Sequence, residues 1–228
     1  MTEILIQASV WVLPVLFAVT FHEAAHGFVA SRLGDNTALR AGRVTFNPFR
    51  HIDAFGTVLL PALLLIMSGG RIMFGYAKPV PVNFSRLRNP RRDMILVAAA
   101  GPGANIGMAL TAAAAIHLSI AIPGVFGNWV GYNLYNAVWI NVLLAVFNML
   151  PVPPLDGGRV AVGLLPSRLA SLLARVEPFG FAIILGAIFV LPWIGRYAGI
   201  NLDVFRWLVL APAMQLTQLI LSLTGVQQ

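Results

Sequence analysis

The sequence predicts an all-α polytopic membrane protein, and three observations predict it. Hydrophobic residues fill 58% of the 228 positions and charged ones only 10%, against roughly 25% charged in ordinary soluble domains. The apolar residues gather in runs near or above the ~20 residues that a helix needs to cross a bilayer. The basic residues lie between those runs, as the positive-inside rule expects. The net charge of +7, from 15 Lys+Arg against 8 Asp+Glu, therefore reads as membrane topology and not as a nucleic-acid surface. The absence of cysteine removes thiolate metal sites and disulfides.

Taken in order, Ile4 to Ser31, Met94 to Pro123, Trp129 to Leu150 and Val204 to Leu223 read as spanning helices. Phe179 to Ile194, shorter and ending at a Pro-Trp pair, reads as a fifth. Glu3 replaces the basic start of a signal peptide, so the first run is expected to be retained. The run Ala54 to Met67 has 14 residues and contains Pro61. A helix of that length reaches roughly 21 Å against a hydrocarbon core of ~30 Å. Arg32, Arg40, Arg43 and Arg50 precede it, and Arg71, Lys78, Arg86, Arg88, Arg91 and Arg92 follow it. With both flanks cytoplasmic the run is re-entrant; the alternative is a sixth span. The next stretch, Arg71 to Asn83, "RIMFGYAKPVPVN", is Gly- and Pro-broken and partly alternating. It reads either as a short exposed β-strand or hairpin or as a plain cytoplasmic loop.

The uncharged loop Ile120 to Tyr132 suits the opposite face. The first span then runs out to in, the second in to out, and the third out to in, ending near Asp156. Neither an internal repeat nor a linker marks a second unit. A single membrane-embedded domain over 1–228 is expected, with its core at about 4–159 and C-terminal helices at about 160–228.

The polar cluster "FHEAAHG", Phe21 to Gly27, stands inside the first apolar run. On a helix His22 and His26 lie about 40° apart, one turn above the other, so both imidazoles can reach one metal ion. In this HExxH pattern neutral imidazoles hold zinc, and the glutamate, here Glu23, takes a proton from water whose pKa the metal lowers to roughly 7. The bland reading is a pair of packing histidines beside a buried carboxylate. Carrying an ionisable group into hydrocarbon costs about 2.5 to 3.5 kcal/mol, which favours a cavity or an ion. A catalytic zinc takes three protein ligands, and the candidates for the third are His51, Asp53, Asp156 and His117. His117 lies toward the uncharged loop, on the wrong side by parity. Asp156 lies on the side toward which the first span carries the two histidines, and geometry favours it.

Asp156 closes "NMLPVPPLDGG", Asn148 to Gly158, where three prolines break the helix and a Gly pair permits a sharp turn. With HExxH in one span and this string in a later one, the sequence resembles the site-2 protease family of intramembrane zinc metalloproteases. The likeness extends to "FNPFRHIDAFGT" (Phe46 to Thr57), "GYAKPVPVN" (Gly75 to Asn83) and "AAGPGAN" (Ala99 to Asn105). It implies that His22, His26 and Asp156 hold zinc, one ion per chain, and that Glu23 is the general base. It also implies that Asn148 binds the scissile backbone or its developing oxyanion. The family often shows a proline where this chain has Ala54, so the local backbone there differs. His51 and Asp53 stay open between a place at the active-site cavity and a capping or turn role. Larger members carry PDZ or CBS domains, and no counterpart is expected in this compact sequence.

The reaction so implied is hydrolysis of peptide bonds in or next to transmembrane helices of membrane-anchored substrates, that is, regulated intramembrane proteolysis by a zinc metalloendopeptidase. The expected partners are a single-span transmembrane protein substrate, the lipid bilayer and a separate regulatory membrane protein. The expected location is a prokaryotic plasma membrane, with the active site toward the cytoplasm. "GPGAN", Gly101 to Asn105, reads as a small-residue packing site, and Asn133, Asn136 and Asn141 as interhelical hydrogen-bonding residues. A different reading, a non-catalytic metal-binding transporter or sensor, would need a path of ionisable groups across the bilayer. After Asp156 the acidic residues are only Glu177 and Asp203, both near span ends.

Overall fold

A computed structural model describes residues 2–59, 63, 66 and 78–226. Among the described residues the protein is helical throughout and has no strand. Among the described residues four helices are long and apolar enough to cross a membrane: Leu5–Arg32, Pro90–Ile120, Gly124–Asn148 and Glu177–Ala198. We label the chain's main helices α1 (Thr2–Arg32), α2 (Pro90–Ile120), α3 (Gly124–Asn148), α4 (Asp156–Leu164), α5 (Ser167–Ala174), α6 (Glu177–Ala198) and α7 (Ala211–Leu223).

Helices α1, α2 and α3 pack against one another, and α4 packs on α2. Small residues permit the close approach: Ala109, Ala112 and Ala113 of α2 meet Val138 and Val142 of α3, with Ala213, Ile220 and Leu221 of α7 closing the cluster. The outward faces stay apolar, with Phe17, Leu110, Phe189, Trp193 and Leu219 exposed. In water such a surface would be unfavourable, and against lipid it is the solvent-facing side. Polar pins hold α3 to α1, because Trp129 Nε1 donates to Ser9 Oγ at 2.9 Å and Asn136 Nδ2 to the Val10 carbonyl at 3.0 Å. The interhelical reading of Asn136 and Asn141 holds, whereas Asn133 donates to Trp129 in its own helix.

Helix ends follow local chemistry. Asn89 stands at the N-cap position of α2 without a side-chain capping bond, Pro90 fills the first helical position, and the Asp93 carboxylate accepts the Asn89 N–H at 2.8 Å. Helix α3 begins at Gly124, directly after Pro123 and earlier than the apolar run alone indicates. The fifth apolar run, expected to be short, belongs to a 22-residue helix. A π-helical turn, Gly186–Val190, stands just before Pro192 and widens the helix where proline has no N–H to give. The same device, Arg206–Leu210, precedes Pro212 at the start of α7. Of the expected re-entrant run 54–67, the π-helical turn Ala54–Leu59 and two single positions are described. The expected strand over 71–83 lies outside the described residues as far as 77, and 78–83 is irregular with no ladder partner among them.

Candidate metal centre

Helix α1 carries His22 and His26 one turn apart on the face turned toward α2, with ring centroids 4.7 Å apart. By the helical rise, His22 lies roughly 15 Å from the Arg32 end, well inside the span. Helix α3 ends at Asn148, and the Pro-rich turn after it delivers Asp156 to the first turn of α4. A carboxylate at that helix N-terminus is favoured by the dipole. Gly158 N–H and Arg159 N–H both return to the Leu155 carbonyl, closing the turn around it.

Three donor atoms converge. His22 Nε2 and His26 Nε2 are 3.0 Å apart, and Asp156 Oδ2 stands 3.2 Å from the first and 3.3 Å from the second. His22 and Asp156 are 7% exposed and His26 9%. The protons of the two rings point the other way. The His26 Nδ1 faces the Val97 carbonyl at 2.7 Å, which can only accept, so Nδ1 carries the hydrogen. The His22 Nδ1 faces Asn105 Oδ1 at 2.6 Å. With both imidazoles neutral and protonated at Nδ1, as metal ligands are, the Nε2 lone pairs are aimed at each other and at a carboxylate oxygen. Asp156 Oδ2 is buried, and the two Nε2 atoms are its polar neighbours among the described residues. In that tautomer three buried acceptors face one another, an arrangement that a bound cation relieves. The His/His/carboxylate set and its clustering fit zinc.

The floor of the cluster is the backbone of α2. A Cβ at Gly101 would lie 2.4 Å from His26 Nε2 and 2.7 Å from His22 Nε2, so only glycine lets the rings rest on that helix.

Glu23, beside His22 on α1, accepts the Val80 backbone N–H at 2.7 Å through Oε2. The segment bearing Val80 is tied at three more points: Lys78 N–H donates to the His51 carbonyl at 3.0 Å, Arg43 to the Lys78 carbonyl at 2.6 Å, and Asn83 N–H to Asp35 Oδ2 at 2.6 Å. A cavity of about 1020 Å³ opens onto His22, Glu23, His26, Asn148 and Asp156 together. Arg159 lines it as well, its guanidinium 5.2 Å above the Phe84 ring. The Asn148 amide donates one N–H to the Leu144 carbonyl at 3.0 Å, which leaves the second available to the cavity.

Of the residues singled out in the sequence, His22, Glu23, His26, Asn148 and Asp156 share one cavity, and the other candidates do not join the donors. His117 faces the Thr224 carbonyl at 2.7 Å, tying the end of α2 to the end of α7. His51 Nε2 faces the Thr45 carbonyl at 3.0 Å, and Asp53 Oδ1 accepts the N–H groups of Phe55 and Gly56 at the start of the turn Ala54–Leu59. Capping and bracing are therefore the roles seen for this pair. Two contacts were not legible in the sequence: the hold of Asn105 on His22, and that of the Val80 N–H on Glu23.

The profile of peptidase family M50 matches residues 126–191, a stretch that includes Asn148 and Asp156 but not the HExxH helix. Over much more of the chain, YwhC of Bacillus subtilis, provisionally named as a zinc metalloprotease, is 36% identical across 192 residues, spanning 82% of this chain and 82% of its own. The chain belongs to peptidase family M50. Two proteins called Rip2, with the same provisional description, are also similar. The one from Mycolicibacterium smegmatis is 26% identical over 80% of this chain and 67% of its own. The one from Mycobacterium tuberculosis strain H37Rv is 31% identical over 79% and 68%. No solved structure matches the chain. Membership of family M50 bears out the resemblance to site-2 proteases, and with it the reading of the chain as a membrane-embedded zinc metallopeptidase.

Proposed function

We propose that this chain is an intramembrane zinc metalloprotease in which His22, His26 and Asp156 hold one zinc ion per chain, Glu23 is the general base and Asn148 receives the scissile carbonyl. The observation that carries the reading is the convergence of two Nε2 atoms and a buried carboxylate oxygen within 3.3 Å of one another. Bound zinc supplies Lewis acidity and a water nucleophile at neutral pH.

The protein's own groups do the rest. The Val80 N–H holds Glu23 Oε2, which turns the carboxylate and leaves Oε1 to take the proton of the attacking water and pass it to the departing amine. Asn148 lines the same cavity, and its second N–H would donate to the carbonyl oxygen as it gains charge. A transmembrane helix hides its carbonyls in its own hydrogen bonds, so the substrate must be locally unwound and held extended. The segment from 71 to 83 is the element proposed to accept it by strand addition. The 1020 Å³ cavity is large enough for a few residues of extended chain and for water.

The proposed substrates are membrane-anchored, single-span proteins, with a separate membrane partner regulating access. Five full spans, with 204–223 as the last and 54–67 re-entrant, would put the active site toward the cytoplasm. A prokaryotic plasma membrane is supported by relatives that are all bacterial. The test is purified protein reconstituted with a panel of single-span substrates. Cleavage that stops with chelator and returns with zinc supports the reading, and cleavage indifferent to chelator overturns it.

A further inference from the structure

The structure assigns Asn105 a positioning role: through a relay that starts at Asn141, it fixes the tautomer and aim of His22. The inference rests on the reading of His22 as a zinc ligand. Each link is settled by an atom that can only accept. The Ala137 carbonyl faces Asn141 Nδ2 at 2.8 Å, so the Asn141 amide turns Oδ1 outward. Asn105 Nδ2 donates to that Oδ1 at 2.7 Å and to the Ala18 carbonyl at 3.2 Å, which uses both of its hydrogens and leaves Asn105 Oδ1 facing His22. The amide oxygen accepts from Nδ1 at 2.6 Å, and the Nε2 lone pair is left aimed at His26 and Asp156.

Asn105 and Asn141 are both fully buried, and the amide groups satisfy one another in a chain from α3 through α2 to α1. A buried relay in which Asn105 uses both of its amide hydrogens is costly to disturb and holds one orientation. The spacing agrees with the placement: Gly101, under the two rings, lies one helical turn before Asn105 on the same face of α2. His26 needs no such side chain, since the Val97 backbone carbonyl fixes it directly.

A general packing role for Asn105 makes a different prediction, and Asn136 supplies the comparison, because it too ties two helices by a side-chain bond, far from the cluster. Zinc affinity would be measured by chelator competition on the purified full chain, with the visible spectrum of the cobalt-loaded protein as a second readout. Asn105→Leu is expected to weaken zinc about ten- to hundred-fold and to alter the cobalt bands. Asn105→Asp keeps an acceptor for Nδ1–H and is expected to restore most of the affinity, while Asn136→Leu leaves it unchanged. Equal zinc affinity in Asn105→Leu and Asn136→Leu would overturn the proposal. If Asn105→Leu does not fold, Asn141→Leu replaces it. That variant removes the acceptor that orients Asn105, weakening of zinc relative to Asn136→Leu supports the role, and parity with Asn136→Leu overturns it. Asp156→Ala in the same assay separates the two claims: if it keeps zinc the ligand set is wrong, and if it loses zinc while the asparagine variants do not, only the relay is wrong.

Discussion

Gly101 of α2 lies against His26 of α1 so closely that a Cβ at Gly101 would stand 2.4 Å from Nε2. Gly103, two residues on, has nothing within 4 Å of the same position. The pair makes an internal experiment. Gly101→Ala is expected to push the histidines off their common point and weaken zinc at least about ten-fold, measured by chelator competition. Gly103→Ala adds the same methyl and is expected to leave zinc affinity and cleavage unchanged.

Val80 supplies a second variant, because its N–H is the bond that orients Glu23. Val80→Pro removes that donor without touching the proposed ligands. The turnover number for a single-span substrate should fall roughly ten-fold, the scale of a misoriented catalytic group, with zinc content unchanged. Loss of zinc in this variant would mean that the segment supports the metal and not the base.

Asp35 gives a pH dependence outside the spanning helices. Burial pushes its carboxyl upward, but bonds from the Thr37 hydroxyl and from the backbone N–H groups of Asn83 and Thr37, with the Arg86 charge, outweigh burial and hold the pKa below the usual carboxylate value. A lowered folded pKa means that the contribution is fully present above the released-state pKa of about 3.9 and is lost as pH falls through the lower folded value. Proteolytic nicking between 36 and 83 should therefore rise as the pH is taken below about 4, and Asp35→Asn should be nicked at neutral pH with no further rise over that range. A wild-type loop equally resistant at pH 3 and pH 7 would contradict this.

The chemistry was legible in the sequence further than the architecture. Spacing put His22 and His26 on one face, and span parity chose Asp156 over His117, because both depend on helix period and charge placement that a sequence displays directly. Helix limits were less legible: Pro192 reads as a stop, yet a π-helical turn carries α6 through it. Asn105 looked like part of a packing string, because a sequence shows an amide in an apolar span but not which imidazole faces it. The hold on Glu23 was hidden for the same reason, since it comes from a backbone N–H that any residue except proline offers.

The central claim is that one buried triad holds zinc while a neighbouring carboxylate does the proton transfer, and paired measurements on Glu23→Gln and Asp156→Ala test it most directly. Metal content and cleavage of a single-span substrate would be determined on wild type and both variants. The account predicts about one zinc and cleavage in wild type, zinc without cleavage in Glu23→Gln, and loss of both in Asp156→Ala. Cleavage by Glu23→Gln at the wild-type rate, or full zinc in Asp156→Ala, would contradict it.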